Sequence, residues 1–440
     1  MLFQISRNIT ELHSILEHKI ASRLEQVHRL KYTYGSVKIE DIKIEQIVKG
    51  MRGMTTQLTE TSMLDPEYGI RFRGLSIEEC QSKLPKKYTQ PYVEAMIWLL
   101  LTGEIPSESQ VETMRKELAS RSFLPMHTEE MLNSMPTSLH PMSQLSMGVL
   151  SLGHRSQFDK LYNSSIKKKA YWKPMLDDGL DLIAKIPKIA AIIYRNTYKD
   201  RIVRKPDSSA DLAESFGRML GWDDKNFYDL LKLYINIHCD HEAGNVSAHT
   251  THVVGSALCD IFKSYSAGLN GLAGPLHGLA NQECLGWLLN LKENVGDYPT
   301  DQAIADYVKK TLSSGNVIPG YGHAVLRIPD PRFIAQLKFA GQMLPNNALC
   351  NLVAQCYKVI PQVLKEQGKA KNPFPNVDAH SGALMYSFGL VENDFYTVLF
   401  GVSRAIGCSV NLVWDRALMF PLERPDGLTI TTMSEVCKKK

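Results

Sequence analysis

Residues 8–27 read Asn8-Ile-Thr-Glu11-Leu-His-Ser-Ile-Leu-Glu-His-Lys-Ile20-Ala-Ser-Arg-Leu-Glu-Gln-Val27. Ile9, Leu12, Leu16, Ile20, Leu24 and Val27 recur at three- and four-residue steps, which lines one face of an α-helix. Asn8 is placed to cap that helix and Glu11 stands at the reciprocal capping-box position. The same spacing returns near 76–84, 90–102, 108–120, 143–152, 176–196, 209–219 and 225–238, separated by Pro, Gly, Ser or Asp. Pro125, Pro136 and Pro141 mark loops. Only residues 36–48 alternate, with Val37, Ile39, Ile42 and Ile44, and predict a short β-hairpin. The chain is therefore mostly α. Doubly wound nucleotide folds, which need regular β–α alternation, are excluded.

With 440 residues, two or three domains are expected. Fifty Lys+Arg against 46 Asp+Glu leave a net charge of +4, with no basic stripe. That argues against a dedicated nucleic-acid binder. The most apolar stretch, Phe395–Phe420, is interrupted by Arg404, Asp415 and Arg416, so no membrane span is expected. The eight cysteines form no C-x-x-C pair and read as reduced thiols. No 20–50-residue repeat is present. The first residues resemble neither a secretory signal nor a clean organellar presequence, because Glu11, Glu17 and Glu25 follow closely.

Three irregular stretches rich in Gly, Pro and Asn carry the chemistry: Gly268–Glu283, Ser313–Arg332 and Lys369–Ser381. In the first, glycines at three-residue steps allow close helix approach, and Pro275 predicts a helix start just ahead of His277. A histidine there is disfavoured as a cation and suited to donating a hydrogen bond while neutral. Packing and catalysis are equally good readings of it. In the second, His323 sits in a Pro/Gly loop followed by Arg327 and Arg332. In the third, Asp378 lies among Pro, Phe and Val, where desolvation makes a carboxylate a better base. An Asp capping the next helix is the plainer account, and the two are compatible. Arg404 stands inside an apolar helical run and needs an anionic partner, while Glu423 is a local partner for Arg424.

His238, His241, His249 and His252 suggest zinc, but Asn245 stands where an H-E-x-x-H pattern needs its second histidine. Histidines packed on helices with satisfied ring nitrogens are the favoured reading, and no metal is expected.

Nine stretches together resemble the citrate synthase family, in its eukaryotic mitochondrial branch. They are GMRGM (50–54), LDPEYGIRFRG (64–74), MPTSLHPMSQLS (135–146), HCDHEAGNVSAHTTHVVGSAL (238–258), NGLAGPLHGLANQE (270–283), VIPGYGHAVLRIPDPR (317–332), KNPFPNVDAHSG (371–382), LFGVSRAIG (399–407) and FPLERP (420–425). The resemblance runs from about Asn8 to Pro425. It implies a multi-helical fold with a large domain (1–278 and 390–440) and a smaller inserted domain (279–389) that closes on substrate. It implies condensation of acetyl-CoA with oxaloacetate, then hydrolysis to citrate and CoA, in the mitochondrial matrix. The implied catalytic residues are His277, His323 and Asp378. Oxaloacetate would be held by His241, Arg332, Arg404 and Arg424, the last crossing from the other subunit of a homodimer. CoA would meet Val317, Ile318, Gly320, Gly322, Arg327, Lys371 and Asn376. The family's chemistry calls for no cofactor.

Two departures stand out. Ala243 replaces a glycine usual in the family, which strains the site if that backbone needs positive φ. The chain also lacks several residues that the family carries after Arg424-Pro425, with an expected effect on the subunit contact. A sister enzyme using propionyl-CoA to make 2-methylcitrate would use the same residues. A low-activity structural paralogue is disfavoured by the intact catalytic trio.

Overall fold

The structure is a computed structural model in which residues 9–438 are described. Twenty α-helices dominate these residues, with one three-stranded and one two-stranded antiparallel sheet. The opening helix spans Thr10–Thr33 and buries Leu12, Leu16 and Ile20. Its N-cap is Ile9, with no side-chain cap. The expected cap, Asn8, lies outside the described residues.

Two long helices form the centre. Trp172–Tyr198 and Tyr396–Ala417 pack along each other. All of Tyr396–Ala417 except Phe400 and Asn411 is buried, Arg404 and Asp415 included. By length and composition a helix over Asn393–Ala417 is apolar enough to cross a membrane, but 94% of its most apolar window is buried inside this protein. Apolar character on every side is what a core helix requires.

Against this centre lie Val246–Ser256 and Ile261–Leu272, packed face to face. Here the glycine spacing acts as read. A Cβ on Gly268 would stand 2.1 Å from Thr251 Oγ1, and one on Gly271 would stand 2.9 Å from Val246 Cγ1. The helices Ala280–Val295, Asp301–Ser313, Pro331–Met343, Ala348–Gln367 and Asp378–Ser387 pack largely on one another.

The hairpin is elsewhere than expected. Residues 36–48 hold no strand; they end in a short helix, Ile44–Val48, and Val37, Ile39, Ile42 and Ile44 are exposed. Alternation with nothing to cover its apolar side has no sheet to join. The real hairpin pairs β1 (Ser62–Asp65) with β2 (Gly69–Phe72), Ser62 opposite Phe72 and Asp65 opposite Gly69. Its turn is built by Asp65, whose Oδ1 accepts the N–H groups of Glu67 and Tyr68, and by Gly69 at φ 80°. β3 (Leu75–Ser76) adds to β2 and leads into a helix capped by the Ser76/Glu79 pair.

The irregular stretches are also shorter than expected. Gly268–Leu272 and Ala280–Glu283 are helical, and so is the chain from Asp378. All eight cysteines are free thiols, with only Cys437 exposed.

Candidate active site

His277 sits in the turn between Ile261–Leu272 and Ala280–Val295, so Pro275 does not open the next helix. The turn is pinned by Gly278, whose N–H donates to Leu272 O and whose carbonyl accepts from Thr397 Oγ1. The Ser247 N–H points at His277 Nε2 (3.4 Å), and Ser247 Oγ is 3.0 Å from the same nitrogen. A backbone N–H can only donate, so Nε2 is the acceptor. The proton of the neutral ring then sits on Nδ1. Burial, with Arg404 second, holds the His277 pKa at about 4.

His323 carries its proton on the other nitrogen. Its Nδ1 accepts two backbone N–H bonds at 3.0 Å, from Val325 and Leu326. Its one proton is therefore on Nε2. Desolvation, then Arg332, lowers its pKa to about 4. The glycines at 320 and 322 give the loop positive φ values of 78° and 97°, and the His241 ring lies 6.0 Å from that of His323.

Asp378 is the first residue of its helix. The N-cap position is Val377, with no side-chain cap, so Asp378 does not cap this helix; its N–H instead donates to Asn376 Oδ1 at 3.0 Å. Desolvation raises the Asp378 carboxyl to about 6, against the pull of Arg332 and with the push of Asp330.

The cations arrive by different routes. Arg332, at the start of Pro331–Met343, is buried and grips Asp330 through Nε (3.0 Å) and Nη2 (2.7 Å). Arg404 is 1% exposed and stacks over Phe400 at 4.8 Å. It donates to two neutral acceptors, His238 O (3.1 Å) and Asn245 Oδ1 (3.2 Å). Among the described residues no carboxylate lies within ion-pair distance of it. A buried guanidinium so placed is suited to an anionic ligand. His241 feels Arg332, Arg404 and His323 after desolvation, and its pKa is driven well down. Six of the seven expected catalytic and oxaloacetate residues thus share one electrostatic neighbourhood. Arg424 does not: it is exposed, and Glu423, its expected partner, turns to His249 and His252.

Beside His323 opens a cavity of about 440 Å³ lined by Val317, Ile318, Gly322, Lys371, Tyr321 and Asn372 among others. Of the expected CoA residues, Gly320, Arg327 and Asn376 do not line it. Asn376 braces the loop, donating to Gly322 O (3.0 Å) and, through its backbone, to Gly320 O (2.9 Å). Gly320 is pressed on Cys284 and Ala379, where a Cβ would come within 2.6 and 2.9 Å. Arg327 is exposed and its N–H donates to Pro66 O.

Several residues of the site escaped the sequence reading. Asp240 is completely buried and accepts from Thr61 Oγ1, Ser62 Oγ (2.7 Å) and Asn411 Nδ2 (3.3 Å). Ser62 Oγ in turn accepts the Glu242 N–H at 2.7 Å. The loop bearing His241 is thereby bolted to β1 and to the central helix. Its strain falls on Glu242, at φ 48°, and Ala243 is not among the positive-φ residues, so its methyl does not strain the backbone there. Asn245 was legible as a polar residue opening a helical run; it caps Val246–Ser256 through Ala248 N–H. Ser247 and Asp240 carried no such signal. His238 Nδ1 donates to Tyr234 O at 2.8 Å and its ring stacks on that of Tyr234. Among the described residues no group of three His, Cys, Asp or Glu is placed to hold a metal ion.

Two imidazoles held neutral, a carboxyl raised to about 6 and two buried guanidinium groups are what acid–base chemistry on an anionic substrate calls for. Residues 50–426 match the family described as citrate synthase, C-terminal domain. A probable mitochondrial citrate synthase from Glossina morsitans morsitans is 51% identical over 433 residues, 98% of this chain and 93% of that one. The mitochondrial citrate synthase of Daucus carota is 49% identical over 438 residues, 99% and 93%. Among solved structures, the Thermoplasma acidophilum citrate synthase in ternary complex with carboxymethyl coenzyme A and oxaloacetate shares the fold at TM-score 0.73. It is 20% identical, covering 89% of this chain and 96% of that one. The Pyrobaculum aerophilum citrate synthase matches at 0.73 with 24% identity, covering 87% and 92%. The chain belongs to the citrate synthase family. Its activity is that of a citrate synthase, an acyltransferase.

Proposed function

We propose that His277, His323 and Asp378 divide the condensation of acetyl-CoA with oxaloacetate between them. The opposite tautomers of the two histidines carry this reading. Asp378 takes a proton from the acetyl methyl group, a weak carbon acid. His277 Nδ1–H donates to the thioester oxygen as enolate charge develops there. His323 Nε2–H donates to the oxaloacetate carbonyl as it is attacked. Each ring offers a proton without carrying a charge, because its other nitrogen is occupied by backbone donors. Hydrolysis of the thioester then releases citrate and CoA.

His241, Arg332 and Arg404 would hold oxaloacetate, whose carboxylates match guanidinium forks. In a homodimer, the exposed Arg424 would enter the neighbouring site. The cavity at Val317, Ile318 and Lys371 would take CoA, and residues 279–389 would close as the smaller domain over 1–278 and 390–440. Closure after oxaloacetate binds keeps water from the thioester until the carbon–carbon bond exists. No cofactor is assigned, since the steps run on acid–base groups alone. The location is mitochondrial, as in the names of the relatives.

Purified protein given oxaloacetate and either acetyl-CoA or propionyl-CoA tests this through CoA thiol release. Release that is faster with acetyl-CoA is the expected result. Faster release with propionyl-CoA would assign the 2-methylcitrate reaction instead, and no release with either would overturn the assignment of roles.

A further inference from the structure

The four groups behind the exposed Arg424 form a unit that the condensation leaves unused. His252, on the helix Val246–Ser256, faces a carboxylate with each ring nitrogen. Nδ1 lies 2.7 Å from Asp415 Oδ2, at the end of the central helix. Nε2 lies 3.3 Å from Glu423 Oε2, a buried oxygen with no hydrogen bond of its own. One turn earlier, His249 Nε2 meets the other Glu423 oxygen at 2.8 Å. The Glu423 N–H donates to Ser256 Oγ at 3.0 Å. Three contacts to one helix therefore fix Glu423, and the next residue is Arg424.

Only an imidazolium donates from both nitrogens. With His252 protonated, a cation stands between the two carboxylates. With His252 neutral, one carboxylate faces a lone pair, and the buried Asp415 and half-buried Glu423 lose their common counter-charge. The remaining charge nearby is Arg416, which is committed to Gly255 O and Cys259 O and lies on the far side of Asp415 in sequence. The Cys408 thiol, on the small cavity that His252 also lines, stays protonated, pushed up to about 12 by burial.

We propose that His249, His252, Asp415 and Glu423 form a proton-loaded clamp that seats the segment bearing Arg424, so that affinity for oxaloacetate depends on protonation of His252. The inference rests on the proposed role of Arg424 in holding oxaloacetate across the dimer. The hydrogen bond to Asp415, followed by burial acting in the opposite sense, leaves the His252 pKa raised. A raised histidine pKa means that the clamp is whole at low pH and is lost as pH rises through the folded-state pKa. The four groups act as positioning residues; none touches substrate.

The test is calorimetric titration of the purified protein with oxaloacetate from pH 6.5 to 9, with kcat measured at saturating substrate. For the unaltered protein the Kd should rise about fivefold across the range, the scale of one partly exposed ion pair, while kcat stays within about twofold. His252→Gln should flatten the Kd profile. Asp415→Asn, a gentler change that preserves shape, should move its midpoint to lower pH. Profiles for both variants that coincide with the unaltered protein would overturn the clamp. Arg424→Ala separates the two ideas. If it leaves the Kd unchanged, the role of Arg424 fails. If it weakens binding while His252→Gln keeps the original profile, the clamp alone fails.

Discussion

Ser247 holds His277 by its backbone and by its side chain, with the N–H at 3.4 Å and Oγ at 3.0 Å from one ring nitrogen. Two contacts at one atom fix the tilt of the ring, and the backbone N–H, which can only donate, sets the position of its proton. Ser247 itself is set by the helix that Asn245 caps, and its hydroxyl also reaches Asn245 Oδ1 at 2.8 Å. The proton that His277 offers is thus decided by a helix thirty residues away in sequence.

Ser247→Ala removes the hydroxyl and keeps the N–H. The ring should retain its tautomer but lose orientation, lowering kcat by roughly five- to tenfold, the worth of about one hydrogen bond. The KM for oxaloacetate should change little. Steady-state kinetics decide the matter, and an unchanged kcat would mean that the backbone contact suffices.

Asp378→Asn should remove the base and lower kcat by roughly a hundredfold to ten-thousandfold, with oxaloacetate binding retained. The same change should raise the melting temperature at pH 7.5. A carboxyl whose pKa is raised by folding disfavours the folded state once ionised, and an amide does not ionise. Kinetics and thermal melts on one preparation check both halves.

The acid limb of the rate profile follows from the same group. With its pKa raised to about 6, Asp378 is protonated as the pH falls through that value, and kcat falls with it. His277 and His323, at about 4, stay neutral throughout this window. A kcat profile with an apparent pKa near 6 is expected; a limb near 4 would point away from Asp378.

Gly407→Ala probes the bolt on the His241 loop. A Cβ there would stand 2.4 Å from Asp240 Oδ1 and 2.5 Å from Cys239 O, and Cys239 O already accepts the Gly407 N–H at 2.9 Å. Backbone is the obstacle, so the loop must move. A loss of about 1–3 kcal/mol in stability is expected, with a weaker hold on oxaloacetate. Chemical denaturation together with the KM for oxaloacetate reads both.

Helices were the legible part of the fold, because their apolar spacing reports the buried face directly. Ile77–Lys83, Glu108–Arg121 and Lys225–His238 lie within a residue or two of their expected limits. The hairpin was misplaced because alternation at Val37–Ile44 mimics a strand, whereas Ser62–Asp65 and Gly69–Phe72 are only four residues each and carry Asp, Ser and Arg. Their signal lay in the Asp65-Pro66 start and the Gly69 end of the turn. Within the site, His277, His323, Asp378 and Arg404 were visible by residue type and setting. Ser247, Ser62 and Asp240 were not, since their roles come from partners 30, 178 and 171 residues distant.

Those separations also govern assembly. Thr61 reaches Asn411 across 350 residues and Asp240 across 179. The His241 loop therefore takes its final geometry only after Thr61, Asp240 and Asn411 have met, and such long-range closure is slow compared with helix formation. During synthesis, at roughly 5–20 residues per second, Asn411 arrives long after Thr61 and Asp240. The nascent chain can be rich in helix and still have no working centre. In refolding, recovery of activity should lag the return of the helical circular-dichroism signal, and a truncation before Asn411 should leave helix without turnover.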